Sequence, residues 1–131
     1  MRRGTITIRN TNSDNIQVYI ELSEDGNVWM TKNEIASLFD VFTSSVEANL
    51  KYLFKSNRFG NKEVKKETQI LSNSQKCIVE YFNLEIIIVL SYRLDSYICI
   101  LFRQWIAQQV STSLKSNSLP IDWLQTKANM N

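Results

Sequence analysis

"VWMTKNEIASLFDVFTSSVEANLKYLF", residues Val28 to Phe54, decides how the rest of the chain is read. Thr31-Lys32-Asn33-Glu34 fits a capping box: the Thr31 hydroxyl accepts from the backbone N–H three residues on, and Glu34 reaches back. The spacing predicts a first helix ending at Phe39, with Ile35, Leu38 and Phe39 on its inner face. Asp40–Phe42 is a tight turn. Thr43 or Ser44 is the expected cap of a second helix reaching about Lys55, whose inner side is Val46, Leu50, Leu53 and Phe54. Two short helices about a tight turn suit a DNA-reading unit, and equally a helical hairpin that closes a core. The outward face of the second helix separates the two.

Working outward, "TITI" (Thr5–Ile8) and "IQVYIEL" (Ile16–Leu22) alternate as strands do, with "TNSDN" as the break between them. A turn at Asp25-Gly26 lets Val28–Met30 return as a short third strand of the same sheet. After the helices, "KSNRFGNKEVKKE" is polar and charged and reads as a loop or a frayed helical turn. "TQIL" and "KCIVEYF" flank "SNSQ" as a hairpin. Leu84–Leu94 is apolar almost all round and is expected to be a central helix. A last helix from about Tyr97 to Lys115 presents Ile98, Leu101, Phe102, Trp105, Ile106 and Val110 on one face. One domain, residues 1–115, is expected, with 116–131 as a tail that Trp123 can hold.

The chain has 131 residues, enough for one domain with a real core. Its net charge of +2 writes no strong nonspecific nucleic-acid binding into the molecule as a whole, so any basic footprint is local. It has no histidine, which removes imidazole as base or ligand. Cys77 and Cys99, both in apolar surroundings, read as buried thiols, and with scattered carboxylates they make no zinc site. The three glycines are isolated, so no glycine-rich phosphate cradle exists. Glu80 and Glu85 read as solvated or paired with Lys76 and Arg93. A non-enzymatic protein without metal or cofactor is expected. Met1-Arg2-Arg3 is not followed by an apolar run, and "LEIIIVLSYRLDSYICILF" is interrupted by charges, so a cytoplasmic chain outside the membrane is expected.

At 3.6 residues per turn, Ser44, Ser45, Ala48, Lys51, Tyr52 and Lys55 lie opposite the inner side of the second helix. Small residues at its start allow close approach to base edges, and hydroxyls and lysines bond phosphates. Arg58, Lys62, Lys65 and Lys66 follow. From Thr43 to Glu67 there are six basic and three acidic residues, a local +3, whereas Met1 to Asp40 has four basic and six acidic, a local −2. The hairpin with Lys76 is a candidate wing. Glu47 flanks this face and opposes a phosphate unless paired. Arg93 and Arg103 are expected to pair with Asp95 or Glu85, or to line a polar groove, and Trp105 to pack in the core.

The same stretch, with "VEYFNLEIIIVLSYRLDS" and "FRQWIAQQV" in that order, resembles the RhuM-type virulence-associated proteins of bacteria over roughly Ile16 to Val110. The most specific part is the tyrosine-rich strand end, Asn-Leu, the apolar helix, Tyr-Arg and then Phe-Arg-x-Trp. A weaker likeness extends to the Bro-N phage antirepressor domain. The resemblance implies a helix-turn-helix domain of DNA-binding type, often encoded on mobile elements. The chain departs from the family pattern in the turn, where Asp40, Phe42 and Thr43 replace Gly, Ser and Arg. It also has Ser96-Tyr97-Ile98 where the family carries Ser-Lys-Arg.

The expectation is therefore an α+β fold: a small N-terminal antiparallel sheet, helix-turn-helix, β-hairpin wing and two packed C-terminal helices, winged-helix-like. The expected partner is double-stranded DNA in a regulator of transcription, and a homodimer is compatible with it. The alternative is a protein-interaction module, of antirepressor or toxin-partner type, which the loss of family cations and the apolar Phe42 and Ile98 would suit.

Overall fold

Alternation of Ile6 and Ile8 with polar residues produces strand β1 (Thr5–Asn10). It pairs antiparallel with β2 (Ile16–Glu21), setting Ile6 opposite Ile20 and Ile8 opposite Val18 on one inward face. These elements come from a computed structural model that describes residues 2–10 and 16–116. The expected break at "TNSDN" and the tail with Trp123 lie outside the described residues.

The chain is α+β, with two two-stranded antiparallel sheets and four helices among the described residues. Helix α1 (Lys32–Phe39) starts on the predicted capping box: Glu34 N–H donates to the Thr31 hydroxyl at 3.2 Å, and Thr31 N–H to the Glu34 carboxylate at 2.9 Å. It ends at Asp40, whose left-handed backbone (φ 55°) turns the chain sharply. Helix α2 (Thr43–Lys55) follows at once. Its N-cap is Phe42, with no side-chain hydrogen bond, so neither Thr43 nor Ser44 caps it as expected. Both residues are already within the first turn.

The returning segment also differs from expectation. Val28 and Trp29 are buried, but they add no third strand to the first sheet. Trp29 N–H donates to Arg3 O at 2.7 Å, and Met30 exchanges two backbone bonds with Phe82. The segment thereby bridges the first strand's entry to the base of the far hairpin.

That hairpin is β3 (Lys65–Ser72) and β4 (Gln75–Phe82), longer than predicted: Lys65, Lys66 and Glu67 are in the strand and not in a loop. Asn73 and Ser74 both take positive φ, 52° and 65°, which two-residue hairpin turns of this twist require. Its base is anchored by Phe82 and the preceding Val64, both buried, while every residue from Glu67 to Ile78 is exposed. Cys77 lies there, exposed, contrary to the buried-thiol reading that holds for Cys99.

Asn83 caps α3 (Leu84–Arg93) through its bond from Ile86 N–H at 3.1 Å. Asn27 Oδ1 accepts from both Val28 and Leu84 N–H at 2.9 Å, tying the loop to this helix start. Ile86, Ile87 and Leu90 are fully buried against Ile35, Phe39, Val46, Leu53 and Phe102, so α3 is central as predicted. Helix α4 (Tyr97–Ser116) begins at Ser96, whose hydroxyl accepts from Cys99 N–H at 3.0 Å and donates to Phe39 O at 2.7 Å. Phe39 and Phe102 meet at 5.4 Å between ring centres, and Phe102 stacks with Trp105 at 6.1 Å. Val110 does not join this face: it is exposed, because the helix has by then passed the edge of the core. Ser116, expected in the tail, is helical.

Candidate nucleic-acid interface

Helix α2 buries Val46, Leu50 and Leu53, and its turn from Asp40 fixes which side faces out. Ser44, Ala48, Lys51, Tyr52 and Lys55 are exposed and Ser45 is half-buried, so the predicted outward face is open. Glu47, which flanks this face, pairs with Lys32 at 2.9 Å.

The C-terminal half of this face is organised around Tyr52. Arg93, from the last turn of α3, lies over the Tyr52 ring at 4.4 Å and donates from Nε to Asn49 Oδ1 at 2.9 Å. Arg58 sits 5.3 Å from the same ring centre and donates to the Tyr52 hydroxyl at 3.1 Å. Two guanidinium groups thus share one aromatic ring, an arrangement that orients cations without neutralising them. Among the described residues, no carboxylate pairs with Lys51, Lys55, Arg58 or Arg93. Arg93 was expected to pair with Asp95 or Glu85, or to line a polar groove; it pairs with neither carboxylate. Asn49 and Arg93 are the site members that sequence reasoning missed; they are 44 residues apart, and only the packing of α3 on α2 brings them together.

The downstream lysines are placed differently. Lys62 pairs with Glu85 at 3.4 Å, Lys65 with Glu80 at 3.2 Å and Glu67 at 3.6 Å, and Lys66 with Asp25 at 3.7 Å while lying 4.2 Å over the Trp29 ring. The carboxylates Glu80 and Glu85 are thereby paired, though not with the expected Lys76 and Arg93. Lys76 stands next to the hairpin turn, opposite Leu71, and is exposed. The predicted basic run therefore divides into an unpaired patch on α2 and α3 and a neutralised stretch beyond it.

The other end of α2 is acidic. Asp40, Val41, Phe42, Ser45 and Asp95 line a cavity of about 320 Å³ beside its first turn. Carboxylates near a helix N-terminus are favoured by its dipole. They also repel a phosphate there. Phe42 projects with 81% of its surface exposed. Arg103 completes no ion pair with Asp95 or Glu85; it donates to Cys99 O at 3.2 Å and lies 5.9 Å from the Tyr92 ring.

Among the described residues, no group of three or more Cys, Asp or Glu side chains is placed to hold a metal ion, and no helix is long and apolar enough to cross a membrane. Burial pushes the Cys99 thiol up, away from reactivity. Compared with known proteins, the chain matches no family model, no curated protein and no solved structure.

Proposed function

We propose that the chain is a non-enzymatic DNA-binding module of a bacterial or phage-derived regulator, working in the cytoplasm. In this reading α1 and α2 form a helix-turn-helix and β3–β4 serves as a wing beside it, a winged-helix-like arrangement in keeping with the resemblance to RhuM-type proteins. The observation that carries it is the Tyr52 group. Arg58 and Arg93 flank one ring, Lys51 and Lys55 stand beside them, and none of the four is neutralised by a described carboxylate. Oriented, unpaired cations on one open helix face are what phosphate contacts require. The footprint is smaller than the sequence suggested, since Lys62, Lys65 and Lys66 are engaged elsewhere. Ala48 and Ser44 are left as the small residues that can approach base edges.

Fluorescence anisotropy on duplex DNA across a salt series tests this. Lys51→Ala with Lys55→Ala should weaken binding and lower the salt slope by roughly 2, since each phosphate contact contributes close to 1. Arg93→Ala should add a further loss. Lys62→Ala, which removes a cation already paired, should change the slope far less. A wild-type chain with no measurable affinity for duplex at low salt, or a double variant with unaltered affinity and slope, would end the proposal.

A second reading, a protein-interaction module, is favoured by Phe42. An exposed phenylalanine at the start of α2, beside Asp40 and Asp95, suits an apolar and basic partner surface better than a phosphate backbone. Retention of one stoichiometric protein partner, lost in Phe42→Ala and unaffected by the Lys51/Lys55 double variant, would establish it.

A further inference from the structure

Asparagine is a weaker helix former than alanine, because its amide competes for backbone groups. Asn49 nevertheless stands in the middle of α2, half-buried, and its Nδ2 donates to Ser45 O, one turn back, at 2.9 Å. Its Oδ1 accepts from Arg93 Nε at 2.9 Å. These two bonds fix the amide's orientation: a flip would set two donors against each other at Arg93 and two oxygens against each other at Ser45. Arg93 is thereby held at two points, since its guanidinium carbon also lies 4.4 Å from the centre of the Tyr52 ring. Tyr52 follows Asn49 by three positions, so amide and ring are neighbours on the helix surface. A guanidinium has five N–H donors. With Nε engaged by Asn49, those on Nη1 and Nη2 remain, and no carboxylate among the described residues pairs with them. Arg58 donates to the Tyr52 hydroxyl at 3.1 Å, which leaves that hydroxyl its own proton to donate. Donors from Arg93, Tyr52 and Arg58 thus gather round one ring. A guanine edge offers two acceptors in one plane, whereas a phosphate offers oxygens in several directions and suits donors from three side chains.

On the reading of α2 as the DNA-facing helix, on which this assignment rests, we propose that Asn49 is a positioning residue: it holds the Arg93 guanidinium against Tyr52 so that the two Nη groups meet a backbone phosphate. Asn49 itself touches no ligand and carries no charge. An arginine ordered before the duplex arrives has less side-chain freedom to lose on binding, which is the gain from preorganisation. The salt dependence of binding counts the charges that displace counterions, not their orientation. Asn49 therefore strengthens binding without steepening its salt dependence, and it acts only through Arg93.

Two measurements on the full chain test this. In the free protein, nitrogen-15 NMR of the arginine side chains should show the Arg93 Nε–H protected from solvent exchange, and Asn49→Ala should remove that protection. The thermal midpoint of Asn49→Ala should not fall, since alanine is the better helix former. In anisotropy titrations on duplex DNA across a salt series, Asn49→Ala should weaken binding about fivefold with the salt slope unchanged. Arg93→Ala should lower the slope by roughly 1, and Asn49→Ala added to it should cost nothing more. The same losses are expected on a duplex of A·T pairs alone. An Arg93 Nε–H that exchanges alike in both proteins overturns the proposal without reference to DNA. So does a loss from Asn49→Ala that persists in the Arg93→Ala background, or one that comes with a lowered thermal midpoint. Losses confined to duplexes containing guanine would assign Arg93 to a base edge and overturn the phosphate contact. Duplex binding that responds to Lys51→Ala with Lys55→Ala but not to Asn49→Ala ends this assignment alone, whereas a wild-type chain without duplex affinity ends the DNA-binding reading and this one with it.

Discussion

The two hairpins are both two-stranded antiparallel ladders and have opposite fates. The first, β1–β2, turns Ile6, Ile8, Val18 and Ile20 inward along its whole length. The second, β3–β4, is anchored only at its base, by Val64 and Phe82, and carries Ile70, Leu71 and Ile78 out into solvent at 47%, 77% and 62% exposure. Alternation records which residues share a face of a strand; it does not record whether anything covers that face. The covering comes from elements distant in sequence. The first hairpin lies against α1 and α4, whereas the outer part of the second extends beyond the helices.

The contrast is broken most severely at the base of the second hairpin. Phe82 is buried, contacts the Phe54 ring at 5.9 Å between centres and exchanges backbone bonds with Met30. Phe82→Ala should lower unfolding free energy by about 3–5 kcal/mol, read from urea denaturation. A smaller loss, near that of a tip substitution, would mean that the hairpin does not depend on its base.

The first hairpin has its own vulnerable point in Gly4. Its φ is +70°, and a Cβ there would meet Glu21 O at 2.6 Å and Asn27 O at 2.9 Å, both backbone atoms. Gly4→Ala should cost more than about 2 kcal/mol, strain and clash together. Gly26→Ala, with φ +74° but open space around it, should cost only the conformational part, about 1–2 kcal/mol. Equal losses at the two glycines would remove close approach as the cause.

What was legible followed this division between local and distant causes. The capping box, the turn at Asp40, the inner face of α2 and the central place of α3 are written in adjacent residues, and the structure has them. The open face from Ser44 to Lys55 was legible for the same reason. The third strand at Val28–Met30 failed because strand propensity does not choose a partner: Met30 found β4 instead of β1 or β2. The lysine run failed as a run because Glu80, Glu85 and Asp25 reach Lys65, Lys62 and Lys66 from other elements. Arg93 entered the site by the converse route. Helix length was read correctly, but Val110 was placed on the core face, and periodicity alone holds no information about where the core ends.

Between the two hairpins, the start of α1 adds an effect that depends on pH. Burial raises the Glu34 carboxyl, but the hydrogen bond from Arg3 at 2.5 Å, the Thr31 N–H and the Arg3 charge outweigh it, leaving the group below its ordinary value. Its lowered folded-state pKa means that its contribution is complete above the unfolded-state value, near ~4.3, and is lost as pH falls through the folded-state value. Glu34→Gln should therefore cost about 1 kcal/mol at pH 7, mostly from the cap and its partly exposed pair, and the difference from wild type should shrink below pH 4. Urea midpoints at pH 7 and at the acid end measure it. A difference that grows towards acid has the wrong sign.

The tip of the second hairpin should give the smallest effect, and it sharpens the comparison most directly. Leu71 and Ile78 lie on one face of β3–β4, and both are exposed. Leu71→Ser with Ile78→Ser removes large apolar side chains from a place where folding does not bury them, so the global unfolding free energy should shift by less than about 0.5 kcal/mol. The same pair of changes at Ile6 and Ile20, opposite each other in the first hairpin, should be several times more costly, because those side chains face the core. The tip strands have few contacts beyond their own ladder, so their amides should exchange well before those of α3 in both proteins. If instead the tip changes cost as much as those at Ile6 and Ile20, the exposed apolar residues are covered in solution, and the second hairpin is no freer than the first.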